Sequence, residues 1–142
     1  MKPLTIGQVA KRSGIGIETI RFYERQGLLQ EPQRKDSGYR QFTEEVLARI
    51  RFIRRAKELG FSLREIGELL AIQDDPDATR ANVKKHASSK LVDIEAKILD
   101  LQRMRRALKK LLAECPGHGP LRGCPILDSL NHESSVSNEE EQ

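Results

Sequence analysis

The sequence predicts a mainly α fold: a winged helix-turn-helix unit, then one long coiled-coil helix, then a short cysteine loop with a last helix. Three observations carry that expectation. Two short amphipathic segments flank a glycine turn near the start. A stretch from Ala81 to Glu114 holds neither Pro nor Gly. Both cysteines fall within "CPGHGPLRGC", residues 115–124.

The first helix is read from "TIGQVAKRSG". Thr5 is a good N-cap, Ile6, Val9 and Ala10 share one face, and Gly14 ends it. The second is read from "IETIRFYERQGLL", with Ile17, Ile20 and Phe22 inward and Gly27 just past its end. Two short helices about such a turn describe a helix-turn-helix. In "QEPQRKDSGYRQFT", Asp36-Ser37-Gly38 is turn chemistry and Tyr39 to Phe42 alternates like a strand, so a hairpin wing is expected. Thr43 is expected to cap a helix from about Glu44 to Leu59, with Val46, Leu47, Ile50, Ile53 and Leu59 as its stripe and Gly60 as its end. Ser62 and Glu65 form a capping box for the next helix, whose apolar face is Leu63, Ile66, Leu69 and Leu70. "QDDPDATR" then breaks the pattern.

The stretch from Ala81 to Glu114 makes a helix about 50 Å long at the usual rise per residue. Its apolar residues Ala87, Leu91, Ile94, Ile98, Leu101, Leu108 and Leu112 alternate steps of four and three, with Arg105 at one seam position. That is a heptad seam. The rest of the chain is too small to cover all of it, so a homodimer through this helix is expected; the alternative is that the helix folds back on the N-terminal domain. Pro116 ends the helix, and Pro125 suits the first position of the short one after the loop. The expected organisation is a winged-helix domain over 1–75, a linker over 76–80, the dimerisation helix over 81–114, the cysteine loop and short helix over 115–130, and a disordered acidic tail over 131–142.

Composition narrows the function classes. Aromatic residues are only 4% and charged residues 32%, so the core is small and long solvated helical faces are expected. The net charge is +4, but residues 128–142 contribute −5, which leaves +9 on the preceding 127 residues. A basic body of that size is compatible with nucleic acid. No apolar run is long enough to span a bilayer, and "MKPLTIGQVAKRSG" has no signal-peptide core. A cytoplasmic protein is expected, in which paired cysteines more often mean metal or redox chemistry than a lasting disulfide. Catalysis is not expected: C-x8-C is not the C-x-x-C redox motif, and no Ser/His/Asp set, phosphate loop or carboxylate pair stands out.

"TIGQVAKRSGIGIETIRFYERQGLL", "SGYRQFTEEVLARIRFIRRAKELGFSLREIGELL" and the closing "CP-x8-CPIL" resemble, in order and spacing, the MerR transcription regulators, over nearly the whole chain through Leu130. The two-cysteine end is similar to the heavy-metal-sensing branch and unlike the multidrug branch with its large ligand domain. The resemblance implies a winged-helix DNA-binding domain and an antiparallel coiled-coil homodimer. It implies metal sites where one subunit's cysteine loop meets the other's long helix. It implies promoter DNA with an over-long spacer, which the metal-bound dimer distorts so that RNA polymerase can start. In family position Arg21 and Tyr23 contact DNA, Tyr39 and Arg40 of the wing meet backbone or groove edge, and Lys35 and Arg54 touch phosphate. Thr19 is spaced with Arg21 and Tyr23 to offer a further hydroxyl. Against this stands a plainer arrangement, with Arg21 paired to Glu18 or Glu24 on a helix surface and Tyr23 in the core.

Cys115 closes the long helix, and Cys124 opens the last one, where free backbone N–H groups favour a thiolate. Two soft thiolates at the ends of a short loop suit Cu(I), Ag(I), Au(I), Hg(II) or Zn(II). Divalent-metal members of the resembled family carry a third cysteine at the start of the partner's long helix, and monovalent sensors a serine. Alignment puts Arg80, or Thr79, there. A monovalent ion on two thiolates leaves a net −1 that Arg80 can offset, which favours Cu(I)-like ions. Pointing the other way, the eight-residue loop matches divalent sensors, and His118 is a possible third ligand for Zn(II) or Hg(II). His86 reads as packing or surface. The alternative is an effector-free or redox-responsive repressor with no physiological metal.

Overall fold

A computed structural model describes residues 3–30, 33, 34 and 40–132, with the backbone alone at Gln33, Arg34 and Arg40. The elements in order are α1 (Ile6–Ser13), α2 (Ile17–Arg25), β1 (Gln33–Arg34), β2 (Arg40–Gln41), α3 (Glu45–Glu58), α4 (Leu63–Asp74), α5 (Arg80–Glu114) and α6 (Pro125–Asn131). The chain divides into two units, Met1–Val92 and Asp93–Gln142. The division falls inside α5, whose first turns pack on α4.

Local chemistry sets the helix ends in the first unit. Thr5 caps α1 through a full capping box: its hydroxyl accepts from Gln8 N–H at 3.2 Å, and the Gln8 side chain accepts from Thr5 N–H at 2.9 Å. Gly14 follows in a left-handed conformation, φ 74°, which a residue with Cβ adopts only at a cost. Ser62 and Glu65 make the expected box on α4. The expected cap at Thr43 is not formed. Glu44 is the N-cap of α3 with no side-chain bond, and Thr43 only accepts from Val46 N–H through its carbonyl. Just before it, Phe42 is tied to Leu4 by two backbone bonds of 2.7 Å, an isolated bridge that extends the antiparallel β1–β2 pair.

The core of this unit is built where α1 meets α2 and α3, and where α3 meets α4. Val9, Ile20, Ile50, Ile53 and Ile66 are fully buried. On α2 the inward residues are Ile20, as expected, and Tyr23, 4% exposed, and not Phe22 or Ile17, each 37% exposed. Tyr23 stands three residues after Ile20 and so shares its face, whereas Phe22 is turned away from it. On α3 the expected Leu59 is exposed and Ala56 is buried instead. Leu59 is the C-cap of α3, past its last helical turn and just before Gly60.

An ion pair and a histidine–carboxylate contact join α4 to the first turns of α5. Lys90, only 8% exposed, lies 2.8 Å from Glu65 and over the Phe61 ring, its ammonium 5.8 Å from the ring centre. His86 Nδ1 lies 3.4 Å from Glu68 Oε2. The Lys90 ammonium and the Ser62 N–H hold the Glu65 carboxyl down at about 2, from an ordinary value of 4.5. A carboxylate with a depressed folded-state pKa adds stability that is complete above its unfolded value and is lost as pH falls toward the folded one. The melting temperature is therefore expected to fall between pH 4.5 and about 2, and less steeply in Glu65→Gln; equal slopes in a thermal-melt series would place the acid sensitivity elsewhere.

In the second unit, α6 lies beside the last turns of α5, with a shallow crevice between Leu111 and Glu114 on one side and Pro125 and Ser129 on the other. Along α5 the seam residues Leu91, Ile98, Leu101, Leu108 and Leu112 are 47–64% exposed in the single chain. Among the described residues no helix is long and apolar enough to cross a membrane. The acidic residues from 133 onward lie outside the described residues.

Candidate functional site

The outward face of α2 carries Glu18, Arg21, Phe22 and Arg25, at the i, i+3, i+4, i+7 spacing of one helical stripe. Arg21 and Glu18 are both well exposed and 3.7 Å apart, a loose contact that water screens. The guanidinium of Arg21 thus stays available to an anion. Thr19 is half-buried on the flank of the helix. Tyr23 is turned into the core, so the structure does not bring its ring to the face that bears Arg21.

Arg54, on α3, reaches back to α1. Its Nη1 donates to the Ser13 carbonyl at 2.6 Å, satisfying one of the open acceptors at that helix end. A guanidinium has five N–H donors, so others remain for a phosphate. Arg40 pairs with Arg34 in the backbone register of the wing, while Lys35 and Tyr39 lie outside the described residues. Arg21→Ala and Arg40→Ala are each expected to weaken DNA binding by about 1–3 kcal/mol with helix content unchanged. Unaltered affinity of both variants in a titration would remove α2 and the wing as the docking face.

Sequence reasoning passed over Arg49 and Lys90. Arg49 makes a two-pronged pair with Asp74, 2.9 and 2.8 Å, and its Nε donates to the Leu28 carbonyl at 3.4 Å. This bond raises the Arg49 pKa and lowers that of Asp74. It ties the end of α4 to α3 and to the segment after α2. Partners 25 residues apart leave no local signal in a sequence.

Cys115 follows the last residue of α5, and Cys124 is the N-cap of α6. Both are free thiols and half-buried. Gly117, Gly119 and Gly123 take positive φ of 79°, 101° and 82°, which turns the chain sharply between them. The Cys124 N–H donates to Leu121 O at 3.1 Å, and its carbonyl accepts from Asp128 N–H at 2.9 Å, anchoring the second thiol to α6. His118 Nδ1 is 3.2 Å from the Pro116 carbonyl. A carbonyl only accepts, so Nδ1 is the donor in that contact and Nε2 is the ring nitrogen not engaged in it. Among the described residues no three His, Cys, Asp or Glu side chains form a group that could hold a metal ion. Arg80, the first residue of α5, is exposed and makes no ion pair among the described residues. Thr79 beside it is bound to Asn82, whose carboxamide oxygen accepts from its N–H at 2.8 Å and faces its hydroxyl at 3.2 Å.

A helix-turn-helix with a wing, a long helix with an uncovered seam and a two-thiol loop define a DNA-binding regulator class. Residues 4–72 match the family described as MerR HTH family regulatory protein, and residues 47–111 the one described as MerR, DNA binding. The chain belongs to the MerR family of transcription regulators, which are not enzymes. It is 41% identical over 125 residues to the mercuric resistance operon regulatory protein of Bacillus cereus, covering 88% of this chain and 95% of that one. It is 41% identical over 128 residues to the HTH-type transcriptional regulator CueR of Salmonella typhimurium, covering 90% and 92%. The crystal structure of the regulator PbrR691 from Ralstonia metallidurans CH34 in complex with lead(II) superposes with a TM-score of 0.81 at 33% identity, covering 89% of this chain and 98% of that one.

Proposed function

We propose that this chain is a cytoplasmic, homodimeric, soft-metal-responsive regulator, which binds a promoter through α2 and the wing and is switched by an ion held by Cys115 and Cys124. The observation that carries the reading is the pair of free thiols at the two ends of one glycine-shaped loop, in a chain of this family. Relatives named for mercuric resistance and for a lead(II) complex support a thiophilic ion. The basic body fits promoter DNA. The exposed seam of α5 fits a second copy of itself. RNA polymerase would read the outcome as a change in how that DNA is held.

The donor set favours Cu(I), Ag(I) or Au(I) over Hg(II) or Zn(II). Two thiolates suit a two-coordinate monovalent ion, and zinc ordinarily takes four ligands. The charge argument agrees. Arg80, Ala87, Ile94, Leu101, Leu108 and Cys115 follow one another at seven-residue steps along the seam. An antiparallel partner with this register brings its own Arg80 opposite Cys115, where a guanidinium offsets the surplus negative charge of a monovalent bis-thiolate. Hg(II) and Zn(II) complexes of two thiolates are already neutral, and for them His118 Nε2 is the available third donor.

Arg80 in place of the resembled family's cysteine or serine also supports a second reading, an effector-free or redox-responsive repressor. Anaerobic titration of the purified protein with Cu(I), Ag(I), Hg(II) and Zn(II) separates the two. A saturable thiolate-to-metal absorption with two thiols per ion is expected; no binding of any of the four leaves the second reading.

A further inference from the structure

The outward stripe of α2 holds one side chain that charge and hydrogen bonding do not explain. Phe22 is 37% exposed and stands between Arg21 and Arg25. Its ring has two neighbours. The buried Tyr23 ring lies 6.2 Å away, centre to centre, at 47°, and the Arg25 guanidinium carbon lies 6.0 Å from the Phe22 centroid. An aromatic side chain has only two rotatable bonds and loses little freedom when it binds. The arginines on either side suit a polyanion.

A phenyl ring has no hydrogen-bonding group. In the major groove the base edges present donors, acceptors and a single apolar feature, the thymine C5-methyl. We propose that Phe22 reads thymine directly, its ring lying against that methyl, while Arg25 stacks on the ring and is steered to the neighbouring phosphate. This rests on α2 being the helix that enters the groove. Arg21 and Arg25 position the helix through charge, and Phe22 supplies a sequence preference that they cannot.

Deoxyuridine tests it, because it removes the methyl and nothing else. The full-length protein first selects its operator from random-sequence duplexes, and each dT of that operator is then replaced by dU. The native protein is expected to lose about fourfold in affinity at one or two positions per half-site, the worth of one buried methyl-sized group. Phe22→Ala should bind the unmodified operator about that much more weakly and be indifferent to dU at the same positions, with an unchanged circular dichroism spectrum. Phe22→Leu, which keeps apolar bulk, should retain part of the discrimination. A native protein indifferent to dU throughout overturns the proposal, as does Phe22→Ala with its dU penalties intact. If Arg21→Ala still weakens binding in that case, the docking of α2 stands and the thymine contact alone is lost. Failure to select any duplex, or no loss with Arg21→Ala, overturns both.

Discussion

Serine in place of Cys115 or Cys124 is expected to abolish the metal response and spare operator binding. A serine hydroxyl stays protonated near neutral pH and is a hard donor, so a two-thiolate site keeps only half its ligands. Affinity for Cu(I) should fall by about three orders of magnitude or more. DNA affinity in the absence of metal should stay within about twofold, because α1 to α4 belong to a different unit of the chain from the cysteine loop. Arg80 then distinguishes the ions. Arg80→Ala should lower Cu(I) affinity about fivefold, and Arg80→Cys, adding a third thiolate, should shift preference toward Zn(II) or Hg(II). Both are read by anaerobic titration of thiolate-to-metal absorption. A native order of metals that Arg80→Cys leaves unchanged would mean that position 80 does not face the loop.

Ile98→Asp together with Leu101→Asp is expected to give monomers. The two side chains are 47% and 62% exposed in the single chain. A dimer through the seam buries four of them, each contributing about 1.5–3 kcal/mol. Replacing them with carboxylates removes that contribution and places like charges together in a closing interface. Sedimentation should show a single-chain mass at micromolar protein, and operator affinity should drop because a dimeric site needs both halves at once. A dimer of undiminished stability would put the interface on another face.

How much of this was legible in the sequence depended on range. Short-range chemistry was readable: Ser62 with Glu65, Gly14 after α1 and Pro125 at the start of α6 all act as the residue types suggest. The Thr43 cap was not, because the preceding Phe42 is already held to Leu4 from the other end of the domain. On α2 the plainer of the two arrangements holds: Tyr23 lies in the core and Arg21 beside Glu18, while Phe22 is turned out, because the helical phase set by Ile20 outweighs side-chain apolarity. The seam of α5 was visible as spacing, since heptads need no distant partner to be counted. Lys90 was not, since a lysine beside a seam reads as a solvated charge until Glu65 and Phe61 are seen around it. For the site, the thiols and Arg21 were legible as types in order. What Arg54 does for the end of α1 needed the third dimension.

Arg105 interrupts the seam of α5, and it discriminates between the two ways a pair of these helices can run. In a parallel pair each Arg105 would face its own copy at the same level, two guanidinium groups confined to a drying interface. In an antiparallel pair with residue 80 opposite residue 115, residue 105 is level with residue 90 of the other helix, so the two Arg105 groups are about 22 Å apart along the axis. That exceeds the distance over which salt screens charge in the cell. Lys90, at the facing level, is already turned to Glu65. In the proposed dimer this arginine would act as a polarity mark: it would cost some cohesion in either arrangement, but would weigh against head-to-head assembly and with it a dimer whose two thiol loops crowd the same end.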